Sequence, residues 1–316
     1  MQVNTEGVTF NEAFERFINF CSARNLSAES ILYYKDCYKY FVKYFDGNNL
    51  CRAFKEQDFY TYINFLKETH PNVTDTTINT YLRGLRAIIY YAMKLGYMDK
   101  FSVRLMKTDK KIKETYTDEE LVLLLKKPDI KKCSFSEYRN WVLINYFLAT
   151  GNRISTVINI KIGNIDFDSG MIKLDKTKNR KQQIIPLNNT ISDILKEYLM
   201  YRGGESDEYL FPTQDGMQMQ RQGMSTAIER YNRSRGVSKK SVHLFRHTFA
   251  KKWILNGGDI FTLKELLGHS SLDMVKEYVN MYSIDLKEQY NKYNPLESLY
   301  AQNNLGSKKK IKMRNY

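Results

Sequence analysis

The spacing of apolar residues changes character within this chain, and that change limits the folds it can adopt. Over most of the 316 residues, apolar side chains recur every three or four positions, which is the period of an amphipathic helix. Between Ile162 and Leu187 the period changes to one that is typical of strands. The pattern therefore predicts a mainly α protein with a small antiparallel β-sheet.

The first hundred residues predict four helices. The apolar stripe of the first helix is formed by Phe10, Phe14, Phe17, Ile18 and Cys21. Ser27 is positioned to cap a second helix, whose stripe continues up to Gly47. The same spacing predicts helices over residues 56–68 and 75–95. We expect a small helical domain over residues 1–106, in which the aromatic stripes form the core.

A charged segment separates this domain from the rest of the chain. Residues 107–115 contain the run KTDKKIKE and lack an apolar period, so they are expected to form a linker. Thr117 and the three acids after it are typical of a capped helix start. The length also suits two domains, and we place the second at residues 116–300. The basic tail over residues 301–316 is expected to be disordered.

The second domain is predicted to change from helix to strand and back. One apolar helix ends at Gly151, and Arg153 begins another short helix. The strand-like stretch has a turn over residues 168–170 and a basic loop over residues 177–181. Its apolar positions are Ile162, Ile165, Phe167, Met171, Ile172, Leu174, Ile184, Ile185 and Leu187. We expect three short strands with a basic hairpin tip, and helices again from about Ser192.

The net charge points to a polyanionic partner. The formal charge is +14 and the pI is about 9.3. Residues 111–316 carry 34 Lys and Arg against 23 Asp and Glu, so the second domain holds most of the excess. Basic side chains near phosphates release condensed counterions, and nucleic acid is therefore the leading candidate.

Cysteine spacing and hydropathy argue against several other classes of protein. The four cysteines show no CxxC or Cys/His ligand spacing, so neither a zinc site nor a disulfide framework is expected. No apolar run approaches the roughly 18 residues of a membrane span, and the N terminus does not resemble a signal peptide. These features predict a soluble cytoplasmic protein with no membrane partner.

The first residues that could perform chemistry are clustered histidines. Three of the four histidines, His243, His247 and His269, fall in one short stretch that also contains Arg246. His243 and Arg246 are three residues apart, so both would lie on one face of a helix and could point at the same phosphate. We expect His247 to support the helix without a direct role.

Two further segments place polar side chains next to breaks in helices. Gly268 is expected to end a helix just before His269, and Ser270 could cap the next one. Tyr278 follows nine residues after His269. Upstream, Arg153 stands directly after a glycine break, where its guanidinium could reach an adjacent cleft. Each of these pieces is a weak signal by itself.

In combination, these segments resemble the tyrosine recombinase and phage integrase family over nearly the whole chain. That family has an Arg after a Thr-Gly break, a Lys in a strand hairpin, an HxxR motif, a His or Trp after Leu-Gly, and a Tyr nine residues later. The matching positions are Arg153, Lys178, His243, Arg246, His269 and Tyr278. Lys176 and Lys181 lie near the same tip and are the alternatives to Lys178 for the hairpin lysine. Thr156 stands where members often carry an acid, which implies different support for Arg153.

The resemblance implies a SAM-like helical core-binding domain followed by an α+β catalytic domain. With only about eight residues before the first helix, the chain resembles the simple two-domain type that lacks an arm-binding domain. The implied partners are double-stranded DNA and further copies of the chain, as a tetrameric synapse. The segment after Tyr278 resembles the helix that docks on a neighbouring protomer. An accessory DNA-bending or excision factor is also compatible with the resemblance.

The implied chemistry needs no metal, ATP or other cofactor. Tyr278 would attack the phosphate to give a 3′-phosphotyrosyl link, while Arg153 and Arg246 hold the two non-bridging oxygens. A free tyrosine has a pKa near 10, so its proton needs an acceptor, for which His243 is the candidate. Lys178 would protonate the departing 5′ oxygen, and His269 would donate a hydrogen bond to the phosphate.

Other functions compete with a site-specific recombinase that integrates or excises a mobile element. A type IB topoisomerase would use the same chemistry without a specific site. A relative without catalytic activity would be a DNA-binding regulatory protein. A metal-dependent nuclease would need clustered carboxylates, whereas Asp166 and Asp168 flank a predicted turn and look structural. Tyr282 is the other nearby tyrosine and is expected to pack.

Overall fold

The chain divides into two units, Met1–Lys111 and Ile112–Tyr316. The computed structural model describes residues 7–108, 114–175, 182–269, 271–272, 275–276, 278, 290, 294–296 and 299–300. The division between the units falls inside the charged segment 107–115. Within the described residues, no helix combines the length and apolar character needed to cross a membrane. The basic tail over residues 301–316 lies outside the described part of the chain.

The first unit contains the four helices that the apolar stripes predict. They are α1 (Phe10–Ala23), α2 (Ala28–Phe41), α3 (Glu56–Thr69) and α4 (Asp75–Lys94), with a 3-10 turn at Cys51–Ala53. The predicted cap is confirmed, because the Ser27 side chain accepts a hydrogen bond from the backbone N–H of Ser30. The second helix ends earlier than predicted, since the backbone N–H groups of Tyr44 and Phe45 turn back to the carbonyl of Phe41.

Aromatic rings fill the centre of the first unit, as the stripes predicted. The ring centroid of Phe10 lies 5.1 Å from that of Phe41, 5.4 Å from that of Phe45 and 5.6 Å from that of Phe54. Phe10, Phe41 and Phe54 are fully buried. Tilted and edge-on contacts at these spacings are the favourable geometries for ring pairs. The rings therefore serve as core.

The second unit combines seven helices with one small sheet in its described part. The helices are α5 (Asp118–Leu125), α6 (Phe135–Thr150), α7 (Ile154–Val157), α8 (Asn189–Arg202), α9 (Arg221–Ser234), α10 (His243–Leu255) and α11 (Ile260–Leu267). The predicted start of α5 is confirmed, because Thr117 and Glu120 form a reciprocal capping box. Helix α6 is buried on nearly all sides and packs against α5, α8, α9 and α10. It is the central helix of the unit, and Gly151 and Arg153 follow just after its last residue.

The sheet is antiparallel with the strand order β1-β2-β3. Its strands are β1 (Ile165–Asp166), β2 (Met171–Leu174) and β3 (Gln183–Pro186). Ile172 pairs with Ile165 on one side and with Ile185 on the other, so apolar side chains line the inner face. One detail of the prediction is wrong, because Ile162 lies in a 3-10 turn (Ile162–Asn164) and the strand begins only at Ile165. The mainly α fold with a small antiparallel sheet is confirmed.

Candidate active site

The end of helix α6 fixes the backbone before Arg153. Gly151 ends the helix in the left-handed conformation, with φ of 62°, which confirms the predicted break. A Cβ atom at this position would lie 2.7 Å from a Phe249 ring carbon and 2.8 Å from a Leu267 methyl carbon. Both the backbone angle and the packing therefore require glycine. Arg153 follows at the start of α7, with a half-buried side chain.

Arg246 lies on α10 and is buried. Its Nη1 donates to the Gly151 carbonyl at 2.9 Å, and its Nη2 donates to the Leu267 carbonyl at 2.8 Å. Nη1 of Arg153 also donates to the Leu267 carbonyl, at 3.5 Å. The two guanidinium groups thus converge on the last residue of α11, where the helix dipole gives a partial negative charge.

All four carbonyls in the last turn of α11 are hydrogen-bonded. Those of Lys264 and Glu265 accept from the backbone N–H groups of His269 and Gly268, and that of Leu267 accepts from the two arginines. The Gln183 side chain donates to the carbonyls of Glu265, at 2.6 Å, and Leu266, at 3.0 Å. Gln183 begins strand β3, so it ties the sheet to the helix end. No local sequence pattern indicates this contact, because the donor and its acceptors are 82 and 83 residues apart.

The arginines shape the electrostatics of the cluster. Burial, together with the nearby charge of Arg153, lowers the pKa of the Arg246 guanidinium to about 10, and the interaction with Tyr278 opposes this change. Burial also lowers the pKa of Arg153, again opposed by Tyr278. Both groups remain cationic at neutral pH. Two partly desolvated cations that repel each other form a site suited to an anion.

His269 contacts Arg246 directly and is buried. Its Nε2 lies 2.6 Å from Arg246 Nη2. A guanidinium has donors only, so Nε2 is the acceptor and the ring proton lies on Nδ1. Gly268, with φ of 59°, ends α11 as predicted and sets the backbone before this histidine. The predicted cap Ser270 lies outside the described residues.

Tyr278 is buried in a small apolar cluster that also contains Ala250, Ile254, Leu263, Leu267 and Val275. Its hydroxyl lies 2.8 Å from Nδ1 of His247. The sequence indicated only a supporting role for His247, so this contact is a feature that the sequence reasoning missed. A usable signal was present, because His243 and His247 are four residues apart and share one helix face.

His243 begins α10 and is exposed. It lines an open groove of about 430 Å³ together with Ile154, Val242 and four polar residues. Those four are Arg221, Gln222, Ser225 and Ser241. Because Ile154 directly follows Arg153, the groove opens beside the arginine cluster. The polar lining is suited to the phosphates of a nucleic acid backbone.

The structure brings together Arg153, Arg246, His269 and Tyr278 and places His243 at the adjoining groove. Lys178, like Lys176 and Lys181, lies outside the described residues, so its predicted role in the hairpin stays a prediction. The roles of all six predicted residues likewise stay predictions. Among the residues that the structure describes, no three His, Cys, Asp or Glu side chains are grouped as a metal site requires.

Thr156, at the position where the sequence pattern often has an acid, is buried on α7. It lines a small polar cavity with Asn159, Asn164 and Asp175, among others. The Asp175 carboxylate accepts hydrogen bonds from Asn164, at 2.9 Å, and from Gln182, at 3.3 Å. The carboxylate in the lining of this cavity is therefore that of Asp175, which follows strand β2, and does not come from helix α7.

The fold and the match to a family model together define the class of protein. The model of the phage integrase family matches residues 114–283, which is more than half of the chain. The chain therefore belongs to this family and is a tyrosine recombinase.

Individual relatives agree with this class. The chain is similar to the tyrosine recombinase XerD of Listeria monocytogenes serotype 4b (strain F2365). The two are 25% identical over 303 residues, which cover 90% of this chain and 99% of the relative. The Tn1549 transposon integrase, solved in complex with transposon right end DNA, has a TM-score of 0.73 at 20% identity, covering 90% of this chain and 99% of that chain.

A lambda integrase tetramer bound to a Holliday junction has a TM-score of 0.66 at 16% identity, with 84% of this chain and 78% of that chain covered. At these identities the two solved structures show a shared fold.

Proposed function

We propose that this recombinase cleaves and rejoins duplex DNA through a covalent 3′-phosphotyrosyl link to Tyr278. The observation that carries the proposal is the convergence of Arg153 and Arg246 on the Leu267 carbonyl, within electrostatic range of Tyr278. Each guanidinium has five N–H donors, and the hydrogen bonds to the carbonyls of Gly151 and Leu267 and to His269 use only some of them, so the others can bind the oxygens of a phosphate. A guanidinium donates paired bonds to phosphate and stabilises the charge that develops on it during attack.

The remaining roles follow from the chemistry of the reaction. His269 would donate a hydrogen bond to the phosphate after an anion has drawn Arg246 away and Nε2 has taken up a proton. His243 would contact the phosphate from the groove or take the proton of the nucleophile. Lys178 would protonate the departing 5′ oxygen. Because the phosphotyrosyl link conserves the energy of the ester, rejoining would need no ATP, and the two arginines would stabilise the phosphate charge that a metal ion stabilises in other enzymes.

The proposed biological role is integration or excision of a mobile element by a tetramer on DNA. The Tn1549 transposon integrase and the lambda integrase tetramer share the fold of this chain, which supports the proposal. The basic second unit supplies the field that attracts the DNA backbone. A neighbouring protomer would receive the C-terminal segment, in which Tyr290, Leu296 and Leu299 are exposed.

A covalent-trapping experiment tests the catalytic proposal. The substrate is a library of nicked duplexes with randomised sequence, in which cleavage beside the nick releases a short fragment and traps the enzyme on DNA. We expect the wild-type chain to form an adduct that resists denaturant and persists in excess EDTA. Tyr278→Phe should form none, because the attacking hydroxyl is absent, whereas the matched control Tyr282→Phe should retain it.

Two outcomes would contradict the proposal. Absence of any wild-type adduct, with DNA binding intact, would favour a regulatory DNA-binding relative. Cleavage that stops in EDTA would favour a metal-dependent nuclease. Sequencing of the trapped duplexes also separates a site-specific recombinase from a type IB topoisomerase, since only the recombinase should enrich one sequence.

A further inference from the structure

The hydrogen bond between His247 and Tyr278 has no role in the functions proposed so far. Nδ1 of His247 lies 2.8 Å from the Tyr278 hydroxyl, and the two ring centroids are 5.6 Å apart. His247 is half-buried on α10, one turn after His243 on the same face. Of the two histidines, His247 is the one that contacts the reacting oxygen.

The surroundings of Tyr278 make loss of its proton difficult without assistance. The residue is only 3% exposed and lies among apolar side chains, where a phenolate is poorly solvated. The charges of Arg153 and Arg246 interact favourably with an ionised Tyr278 and offset part of this cost. The arginines have donors only, so neither can accept the proton. A proton acceptor must therefore reach the hydroxyl, and Nδ1 of His247 is already at hydrogen-bond distance.

We propose that His247 is a catalytic residue that accepts the Tyr278 proton during cleavage, an inference that rests on the proposed function. The O–H bond of Tyr278 breaks and its proton moves to Nδ1 of His247. The phenolic oxygen forms a bond to phosphorus as the bond to the 5′ oxygen breaks, and that oxygen takes a proton from Lys178. In rejoining, the 5′ hydroxyl attacks, its proton returns to Lys178, and His247 returns the other proton to Tyr278. An imidazole suits this exchange because it titrates near neutral pH.

The two histidines on α10 would then have different roles. His243 is exposed at the groove, where it can contact the phosphate, whereas His247 faces the buried nucleophile. Arg246 lies between them in sequence and is fixed by the carbonyls of Gly151 and Leu267. A proton acceptor and an anion-binding arginine thus come from adjacent positions of one helix.

Variants at position 247 test the proposal on the nicked-duplex substrate. His247→Asn places an amide near the position of Nδ1, so it can keep a hydrogen bond to Tyr278 but cannot accept its proton. We expect His247→Asn and His247→Ala both to lower the cleavage rate at saturating DNA by about 10²-fold or more, with DNA affinity unchanged. A wild-type rate in His247→Asn would overturn proton transfer and leave only a positioning role.

A fluorinated tyrosine at position 278 separates proton transfer from a structural role of His247. It should change the cleavage rate of His247→Asn only if His247 accepts the Tyr278 proton. Its phenol loses the proton more readily than that of tyrosine, so it should recover much of the cleavage rate in His247→Asn. The same replacement should recover little in Arg246→Lys, where the missing interaction is with phosphate. No recovery in a folded His247→Asn variant would contradict the proposal. A wild-type chain without any adduct would instead show failure of the proposed function itself.

Nitrogen NMR of histidine-labelled protein checks the contact without DNA. The chain has only four histidines, so each ring can be assigned by substitution. Tyr278→Phe should shift the Nδ1 resonance of His247 and leave that of His70, in the other unit, unchanged. An unchanged His247 resonance would show that the hydrogen bond is absent in solution and would remove the basis of the proposal.

Discussion

The two units bury different kinds of side chain. Among the described residues, Asn79 is the one buried polar side chain of the first unit, whose centre is filled with aromatic rings. The second unit buries Arg139, Asn140, Thr150, Asn152, Thr156, Ser192, Asn232, Arg246, Thr248 and His269. The first unit therefore depends mainly on packing, whereas the second also depends on hydrogen bonds within its core.

The polar groups of the second unit hold its helices together as well as forming the site. Arg139 Nη1 donates to the Pro212 carbonyl at 2.6 Å, and Thr248 accepts from the Tyr116 backbone N–H at 2.9 Å. Arg246 joins the ends of α6 and α11 through the carbonyls described above. A buried polar group that loses its partner carries the full cost of desolvation. Substitutions at the site of this unit are therefore expected to affect its folding as well.

The largest effect is expected from a cavity among the rings of the first unit. Phe41→Ala should lower the free energy of unfolding of that unit by about 3–5 kcal/mol, because a fully buried ring is removed. Both tryptophans, Trp141 and Trp253, belong to the second unit. In urea unfolding, circular dichroism should show an earlier transition while tryptophan fluorescence keeps its midpoint.

A matched cavity in the second unit provides the control. Phe211 is also buried, and Phe211→Ala should move the fluorescence midpoint. If Phe41→Ala moved the fluorescence midpoint by as much as Phe211→Ala, the two units would unfold together. The two cores would then contribute to one shared free energy of unfolding, and no separate value could be assigned to each unit.

An intermediate effect is expected from a buried amide. Asn232 Nδ2 donates to the Tyr116 hydroxyl and to the Lys239 carbonyl, both at 2.8 Å. Asn232→Ala should lower the free energy of unfolding by about 1–3 kcal/mol, because both acceptors lose their donor. Tryptophan fluorescence should detect the change. Asn79→Ala is the matched change in the first unit. It should shift the urea transition seen by circular dichroism and leave the fluorescence midpoint unchanged. A fluorescence midpoint that moved in Asn79→Ala but not in Asn232→Ala would contradict the contrast between the two units.

The smallest effect is expected from an ion pair at the edge of the second unit. Burial raises the pKa of the Glu120 carboxyl, but hydrogen bonds from Lys239 and Thr117 and the Lys239 charge bring it below its usual value. Its contribution is therefore present above the unfolded pKa, about 4.3, and is lost as pH falls through the folded pKa. Glu120→Gln keeps an acceptor for the capping box and removes only the charge.

Glu120→Gln should destabilise the chain by less than about 1 kcal/mol at pH 7. The difference from wild type should vanish in acid, once the wild-type carboxyl is protonated. Urea midpoints measured by tryptophan fluorescence from pH 7 down to pH 3 check this. A difference that grew towards low pH would contradict the sign of the pKa shift.

Local chemistry explains which parts of the fold could be predicted. Apolar stripes place the helices of the first unit, and Ser27, Thr117 and Gly268 mark helix ends because they act on backbone atoms a few residues away. The 3-10 turn at Ile162 was missed because its apolar spacing resembles that of the following strand. The expected helix end at Gly47 was late because the stripe continues through a non-helical turn after Phe41.

Contacts between distant parts of the chain explain what the sequence could not show. Spacing and order select Tyr278 and two arginines, but they carry no information about which ring nitrogen approaches the hydroxyl. The feature that marks His247 is the position of its Nδ1, 2.8 Å from the Tyr278 hydroxyl, and this contact depends on the fold. Gln183 likewise stands as an ordinary polar residue in a strand until its bonds to the end of α11 are known.

The carbonyl at position 267 has a genetic consequence. Every amino acid carries a backbone carbonyl, so no amino-acid substitution at position 267 can delete the acceptor that Arg153 and Arg246 share. A substitution can remove either arginine, but the carbonyl at the end of α11 remains in the descendant chain. A lineage that lost one of the arginines would keep the acceptor, so restoring the arginine would also restore its hydrogen bond to the end of α11.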